Sequence, residues 1–149
     1  MLLNTASAVI SFLIKLEEET AKFYEELSRK YPEGKEIFQS LSKENERNKS
    51  MIQRVYYGVI TDALEACFSF KEGMDSQKYV VKIEAVEGAS FVSILKSAIE
   101  IEEIIKKAYI DAAELSEGLM ADVSQAFRAV ARKRSDRIAK LAAILSEGK

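Results

Sequence analysis

The sequence predicts an all-α protein: four helices forming two helical hairpins joined by a long crossover. Three observations carry that prediction. Of 149 residues, 48% are apolar and 31% charged, with only six Gly and one Pro, which suits amphipathic helices and not a disordered, fibrous or all-β chain. Apolar residues recur every three or four positions in four separate segments. The second pair of segments also repeats the first, polar interruptions included. The length is enough to bury a substantial core, and one domain spanning 1–149 is expected.

Asn4 or Thr5 is placed to cap a first helix over about 6–31. Its inner stripe reads Ile10, Leu13, Glu17, Thr20, Tyr24, Leu27, Tyr31. Pro32 and Gly34 end it in a short turn, which favours an antiparallel neighbour. The second helix, about 35–57, carries Phe38, Leu41, Asn45, Asn48, Ile52 and Val55.

The crossover, about 58–89, is irregular. Thr61 can cap a short helix through Phe68, Lys71-Glu-Gly signals a turn, and a short extended piece fits Lys78 to Val86. A connection this long can cross a bundle lengthwise. Tyr56, Tyr57, Phe68 and Phe70 are expected to cover one end of the core.

Ser90 caps a third helix, about 90–115, with the stripe Leu95, Ala98, Glu102, Ile105, Tyr109, Ala112, closed by Gly118. Asp122 and Gln125 resemble a capping box at the start of the fourth helix, about 122–146. That helix reads Phe127, Val130, Arg134, Arg137, Leu141, Ile144: two cations in the middle of an apolar stripe. Cations do not normally occupy such positions unless something negative faces them.

Composition also excludes function classes. A net charge of −2 with interleaved signs gives no electrostatic case for nucleic acid or an anionic membrane. Met1 to Ile14 is apolar, but it lacks a basic opening and a small-residue cleavage site, so it does not read as a signal peptide. No run approaches a membrane span, and a cytoplasmic, soluble protein is expected. The lone Cys67 reads as a small apolar residue in a reduced compartment, with no disulfide partner and no thiolate cluster for a metal. The chain contains no histidine, which removes the usual general base and the commonest metal ligand together.

Laid over each other, Glu17 and Tyr24 match Glu102 and Tyr109 at an offset of 85 residues. Phe38, Leu41, Asn45, Asn48 and Ile52 match Phe127, Val130, Arg134, Arg137 and Leu141 at an offset of 89. Two hairpins with pseudo-twofold symmetry follow. Glu17, Asn45, Asn48, Glu102, Arg134 and Arg137 all fall near helix midpoints, so a four-helix bundle can bring them into one buried layer. Two alternatives stay open. A rotated fourth helix would turn Ala131, Ile138, Ala142 and Leu145 inward and let the arginines reach water. Equally, Glu17 and Glu102 could be surface acids beside Glu18, Glu19 and Glu103. Tyr24 and Tyr109 read as core tyrosines.

The motifs Leu16-Glu-Glu-Glu with Phe23-Tyr24, Phe38-x-x-Leu41 with Asn48, Glu100-Ile-Glu102 with Tyr109, and Phe127-Arg-Ala-Val-Ala resemble the ferritin-like superfamily, particularly its rubrerythrin-related branch. That resemblance covers nearly all the chain except the crossover, and it implies a ferritin-like four-helix bundle. It also implies a di-iron site built from one Glu on each of two helices and a Glu-x-x-His pair on each of the others. Here Glu17 and Glu102 keep the single-Glu positions, while the pairs read Asn45-x-x-Asn48 and Arg134-x-x-Arg137. Asn is a poor neutral ligand for iron, and Arg is a permanent cation that does not coordinate it. The expectation is therefore a vestigial site without catalytic, cofactor or metal residues, its two guanidiniums standing electrostatically where metals would.

On this reading the chain is a non-catalytic structural or interaction module, expected as a homo-oligomer, a dimer first. The competing expectation is an oxidase, peroxidase or iron-handling protein. It would hold iron or another oxygen-preferring metal through Glu17, Glu102, Glu103 and Glu44 or Asp136. In a third reading the arginine pair grips an anion.

Overall fold

Thr5 fixes where the first helix begins. Its backbone is extended, and its hydroxyl oxygen accepts from the Ala8 N–H at 3.1 Å, satisfying one of the donors a helix start leaves free. Asn4, the other candidate cap, lies instead in a short strand, β1 (Leu2–Thr5). The computed structural model describes residues 2–60, 69–80, 82–118 and 121–147. After β1 come α1 (Ala6–Lys30), α2 (Lys35–Ile60), β2 (Ser69–Asp75), α3 (Phe91–Ser116) and α4 (Ala121–Glu147), with 3-10 turns at Pro32–Gly34 and Ser76–Tyr79. Among the described residues the architecture is all-α, four helices packed on one another, with a two-stranded ribbon added.

Each helix buries the stripe that its spacing predicts. Leu13, Tyr24 and Leu27 of α1, Phe38 and Leu41 of α2, Leu95 and Ile105 of α3, and Phe127 and Val130 of α4 join one apolar cluster. Burial of such side chains is worth about 1.5–3 kcal/mol each before the entropy of ordering is set against it. The principal pairings are α1 with α2 and α3 with α4, and the hairpins meet through α2–α4 and α1–α3.

Side-chain partners give the helix directions. Ser42 reaches the Ala21 carbonyl and Asn45 reaches Glu17, so α1 and α2 are antiparallel. Ser124 reaches the Ala113 carbonyl while Arg134 reaches Glu102, so α3 and α4 are antiparallel. Tyr24 meets Glu102 and Tyr109 meets Glu17, which makes α1 and α3 antiparallel as well. It follows that α2 and α3 run parallel, and the chain between them travels the length of the bundle, as its length in sequence allows.

Gly34 makes the corner from α1 to α2 close. A Cβ there would lie 2.7 Å from the Phe38 ring and 2.8 Å from the Phe91 ring at the start of α3. Among the described residues, two tyrosine hydrogen bonds tie the crossover to the helices. Tyr79 donates to Asp111 at 2.5 Å and packs its ring near Phe12, and Tyr31 donates to the Ala89 carbonyl at 2.5 Å.

Several expectations need correction. Lys71-Glu-Gly is not a turn between elements but part of β2, which pairs antiparallel with β1. Leu3 lies opposite Met74 but Thr5 opposite Ser69, so β2 bulges, and Gly73 takes a φ of 72° inside the bulge, where a Cβ is disfavoured. Over Lys78 to Val86 the backbone is extended at Val80, but no strand forms among the described residues: Tyr79 ends a 3-10 turn and is buried, while Val80 and Val86 are exposed. Tyr56 is buried at its end of the core, but Tyr57 points to solvent. Asp122 lies inside the first turn of α4 and does not cap it, although its charge there suits the helix dipole. The Thr61-to-Phe68 helix and Cys67 lie outside the described residues. Ser90 caps α3 as expected, accepting from the Ser93 N–H at 3.1 Å.

Candidate functional site: a buried polar layer

The α4 stripe faces inward with its arginines on it. Arg134 is 0% exposed and Arg137 1%, so neither reaches water, and Ala142, which a rotated helix would bury, is exposed. Glu17 and Glu102 are equally enclosed, and Asn45 and Asn48 are fully buried beside them. All six midpoint residues therefore meet in one layer, and the readings with solvent-facing arginines or glutamates do not hold.

Arg134 spans the two hairpins. Its Nη2 donates to Glu17 Oε2 at 2.6 Å and its Nη1 to Glu102 Oε1 at 2.7 Å. Arg137 donates from Nη1 to Glu102 Oε2 at 3.0 Å and from Nη2 to the Leu41 carbonyl at 2.7 Å. Its Nε donates to Glu44 Oε1 at 2.7 Å, and Glu44 retains a 22% exposed side chain. Asn45 Nδ2 donates to Glu17 Oε1 and to Thr20 Oγ1, each at 2.7 Å, and Asn48 Nδ2 approaches the same Oε1 at 3.5 Å. Charged partners in an enclosed site make stronger hydrogen bonds than neutral ones, and every one of these reaches a carboxylate, carbonyl or hydroxyl oxygen.

Two tyrosines complete the layer. Tyr24 donates to Glu102 Oε2 and Tyr109 to Glu17 Oε2, both at 2.6 Å, so each carboxylate accepts from the tyrosine of the other hairpin. Their rings follow the pseudo-symmetry: Tyr24 lies 6.0 Å from Phe38, and Tyr109 lies 6.1 Å from Phe127. The Arg137 guanidinium carbon also sits 5.8 Å from the centre of the Tyr24 ring.

Burial alone would push the Glu102 carboxyl up, but the guanidiniums of Arg134 and Arg137 outweigh it and hold the carboxyl below its ordinary range. For Arg134, burial works against the charge, yet Glu102 and Glu17 prevail and its pKa rises well above the usual guanidinium value. Burial, followed by the charge of the neighbouring glutamate, pushes Tyr24 and Tyr109 well above the usual phenol value. These tyrosines stay neutral and donate to the two glutamates.

A di-iron centre does not fit this donor set. All four oxygens of Glu17 and Glu102 already accept hydrogen bonds, and two permanent cations lie among them. Both asparagines turn their nitrogens, not their oxygens, toward Glu17. Glu103 and Asp136, the other carboxylates considered for a metal, are exposed and away from the layer. Among the described residues, no group of three or more His, Cys, Asp or Glu is placed to hold a metal ion. An anion would find little unmet charge, because three carboxylates already face the two guanidiniums.

The tyrosines, read from the sequence as core, and Glu44, named there only as a candidate metal carboxylate, enter the layer as partners of the glutamates and of Arg137. Tyr24 and Tyr109 sit on the same stripes as the glutamates and repeat at the same offset, which was the available signal. Glu44 lies beside Asn45 at the edge of its stripe, and nothing in the sequence marks it as a partner of Arg137.

No protein-family model, curated protein or solved structure matches this chain.

Proposed function

We propose that this chain is a ferritin-like bundle of the rubrerythrin-related kind that has lost its di-iron site and acts as a non-catalytic structural or interaction module. One observation carries the reading: Arg134 and Arg137 neutralise Glu17 and Glu102 from the positions of a Glu-x-x-His pair, with every glutamate oxygen engaged. The antiparallel hairpins, the lengthwise crossover and the swapped tyrosine–glutamate bonds support the family assignment through their topology. The loss of chemistry follows from charge. Two irons add at least four positive charges, and a layer with two resident guanidiniums balances them badly. The module is expected to work as a homo-oligomer, a dimer first, which light scattering on the purified chain will read.

Elemental analysis after aerobic and anaerobic purification tests the reading. The expected iron content is far below one per chain under both conditions. One or two irons per chain, lost when Glu17 or Glu102 is replaced by Gln, would overturn it.

A further inference from the structure

The two halves of the buried layer are not equally satisfied. Around Glu102, Arg137 places all three of its nitrogens on oxygens, and Tyr24 adds a further donor. Around Glu17, three buried atoms have no partner among the described residues: Asn45 Oδ1, Asn48 Oδ1 and Arg134 Nε. Each belongs to a side chain bonded to Glu17. The amide orientations are set by their surroundings. Turning either amide over would press its carbonyl oxygen against Glu17 Oε1. For Asn45 it would also remove the donor to Thr20, whose hydroxyl already donates to the Leu16 carbonyl.

The unmet demand is two acceptors and one donor. We propose that this corner of the layer binds one internal water molecule, which donates to Asn45 Oδ1 and Asn48 Oδ1 and accepts from Arg134 Nε–H. Water has two donors and room to accept, and buried waters make about three hydrogen bonds to such groups. A cation would suit the two carbonyl oxygens but has nothing to accept the Nε–H, and it would lie beside a guanidinium. An anion would suit Nε–H but would face two carbonyl oxygens and a carboxylate. An apolar filling would leave all three groups unpaired, which folded interiors avoid.

The repeat explains why the site lies on this side. Asn45 and Asn48 occupy the positions that Arg134 and Arg137 occupy in the second hairpin. Guanidiniums reach across the layer and bond directly. The shorter amides reach less far, and a water spans the difference. None of this depends on the layer's descent from a metal site, so it stands or falls separately from the proposed function.

A high-resolution crystal structure of the full chain, treated with chelator and grown without phosphate or sulfate, tests the proposal. The expected result is one solvent oxygen within hydrogen-bond distance of Asn45 Oδ1, Asn48 Oδ1 and Arg134 Nε. A dry layer in which these atoms bond to protein, or density with the coordination geometry of an ion, overturns it. Magnetisation transfer from water gives a second readout in solution. The side-chain amide protons of Asn45 are expected to show the cross-peak of a long-lived water, and to lose it in folded Asn48→Leu. A cross-peak of unchanged strength in that variant overturns the shared site. Should Asn48→Leu not fold, the crystal structure of the unaltered chain decides.

Discussion

Arg134 holds two carboxylates from different hairpins and has no exposed surface. Its truncation leaves Glu17 without a guanidinium partner and Glu102 with that of Arg137 alone. Arg134→Ala is expected to cost about 3–5 kcal/mol in chemical denaturation, because a buried charge is left without its partner. Arg132→Ala, on the exposed face of the same helix, is expected to stay within about 0.5 kcal/mol. Tyr24→Phe and Tyr109→Phe each delete a buried donor to a glutamate and are expected to cost about 1.5–3 kcal/mol apiece. Near-equal losses would reflect their equivalent places in the repeat. The six midpoint residues were legible from spacing, since a buried stripe interrupted by charge at one level demands a partner at that level. The tyrosine bonds were not. A phenol on an apolar stripe looks like core, and its acceptor lies on a helix that only the packing identifies.

Acid and alkali act on the same residues in opposite directions. Glu102 is held below its unfolded pKa, so its contribution is complete above the ordinary carboxylate range and is lost as pH falls through its folded value. The tyrosines are raised, so their contribution is complete below the ordinary phenol value of about 10 and is lost as pH rises through the folded one. In an absorbance titration, the tyrosinate signal of Tyr24 and Tyr109 is expected to appear only together with loss of helical circular dichroism. Gradual ionisation of all the tyrosines in a folded chain would contradict their burial.

Among the elements, the four helices were readable because each combines a long periodic stripe with start or stop residues. Their ends fall within about three residues of the spacing-based ranges, and Thr5 and Ser90 cap α1 and α3 as their chemistry suggests. The ribbon was not readable. Residues Leu2–Thr5 form too short a run to show alternation, and their partner, β2, contains a Gly that ordinarily marks a turn. Likewise, the β-branched run after Lys78 suggests an extended piece; Val80 is extended, but Tyr79 before it ends a 3-10 turn and is bound to Asp111. At the α1–α2 corner, Gly34→Ala would force a Cβ against two aromatic rings. A loss of about 1–3 kcal/mol is expected, the range for overpacking. Thermal denaturation would reveal it, and an unchanged midpoint would mean that the Phe38 and Phe91 rings move aside freely.

On the scale of the whole molecule, the charged layer joins hairpin to hairpin. Glu17 of α1 accepts from α2, α3 and α4, and Glu102 of α3 accepts from α1 and α4. Because the ion pairs are enclosed, added salt should weaken them far less than it weakens surface pairs such as Lys15–Glu19. Two hairpins with one level of facing polar residues provide the geometry for a shared centre, and in this chain arginine and tyrosine fill it. The most direct measurement is the unfolding free energy of the purified chain in rising concentrations of anaerobic ferrous iron. A ligand that binds only the native state stabilises it by RT ln(1 + [L]/Kd). With the layer closed by Arg134 and Arg137, no stabilisation is predicted at any iron concentration. A stabilisation that grows with iron and disappears in Glu17→Gln or Glu102→Gln would contradict it.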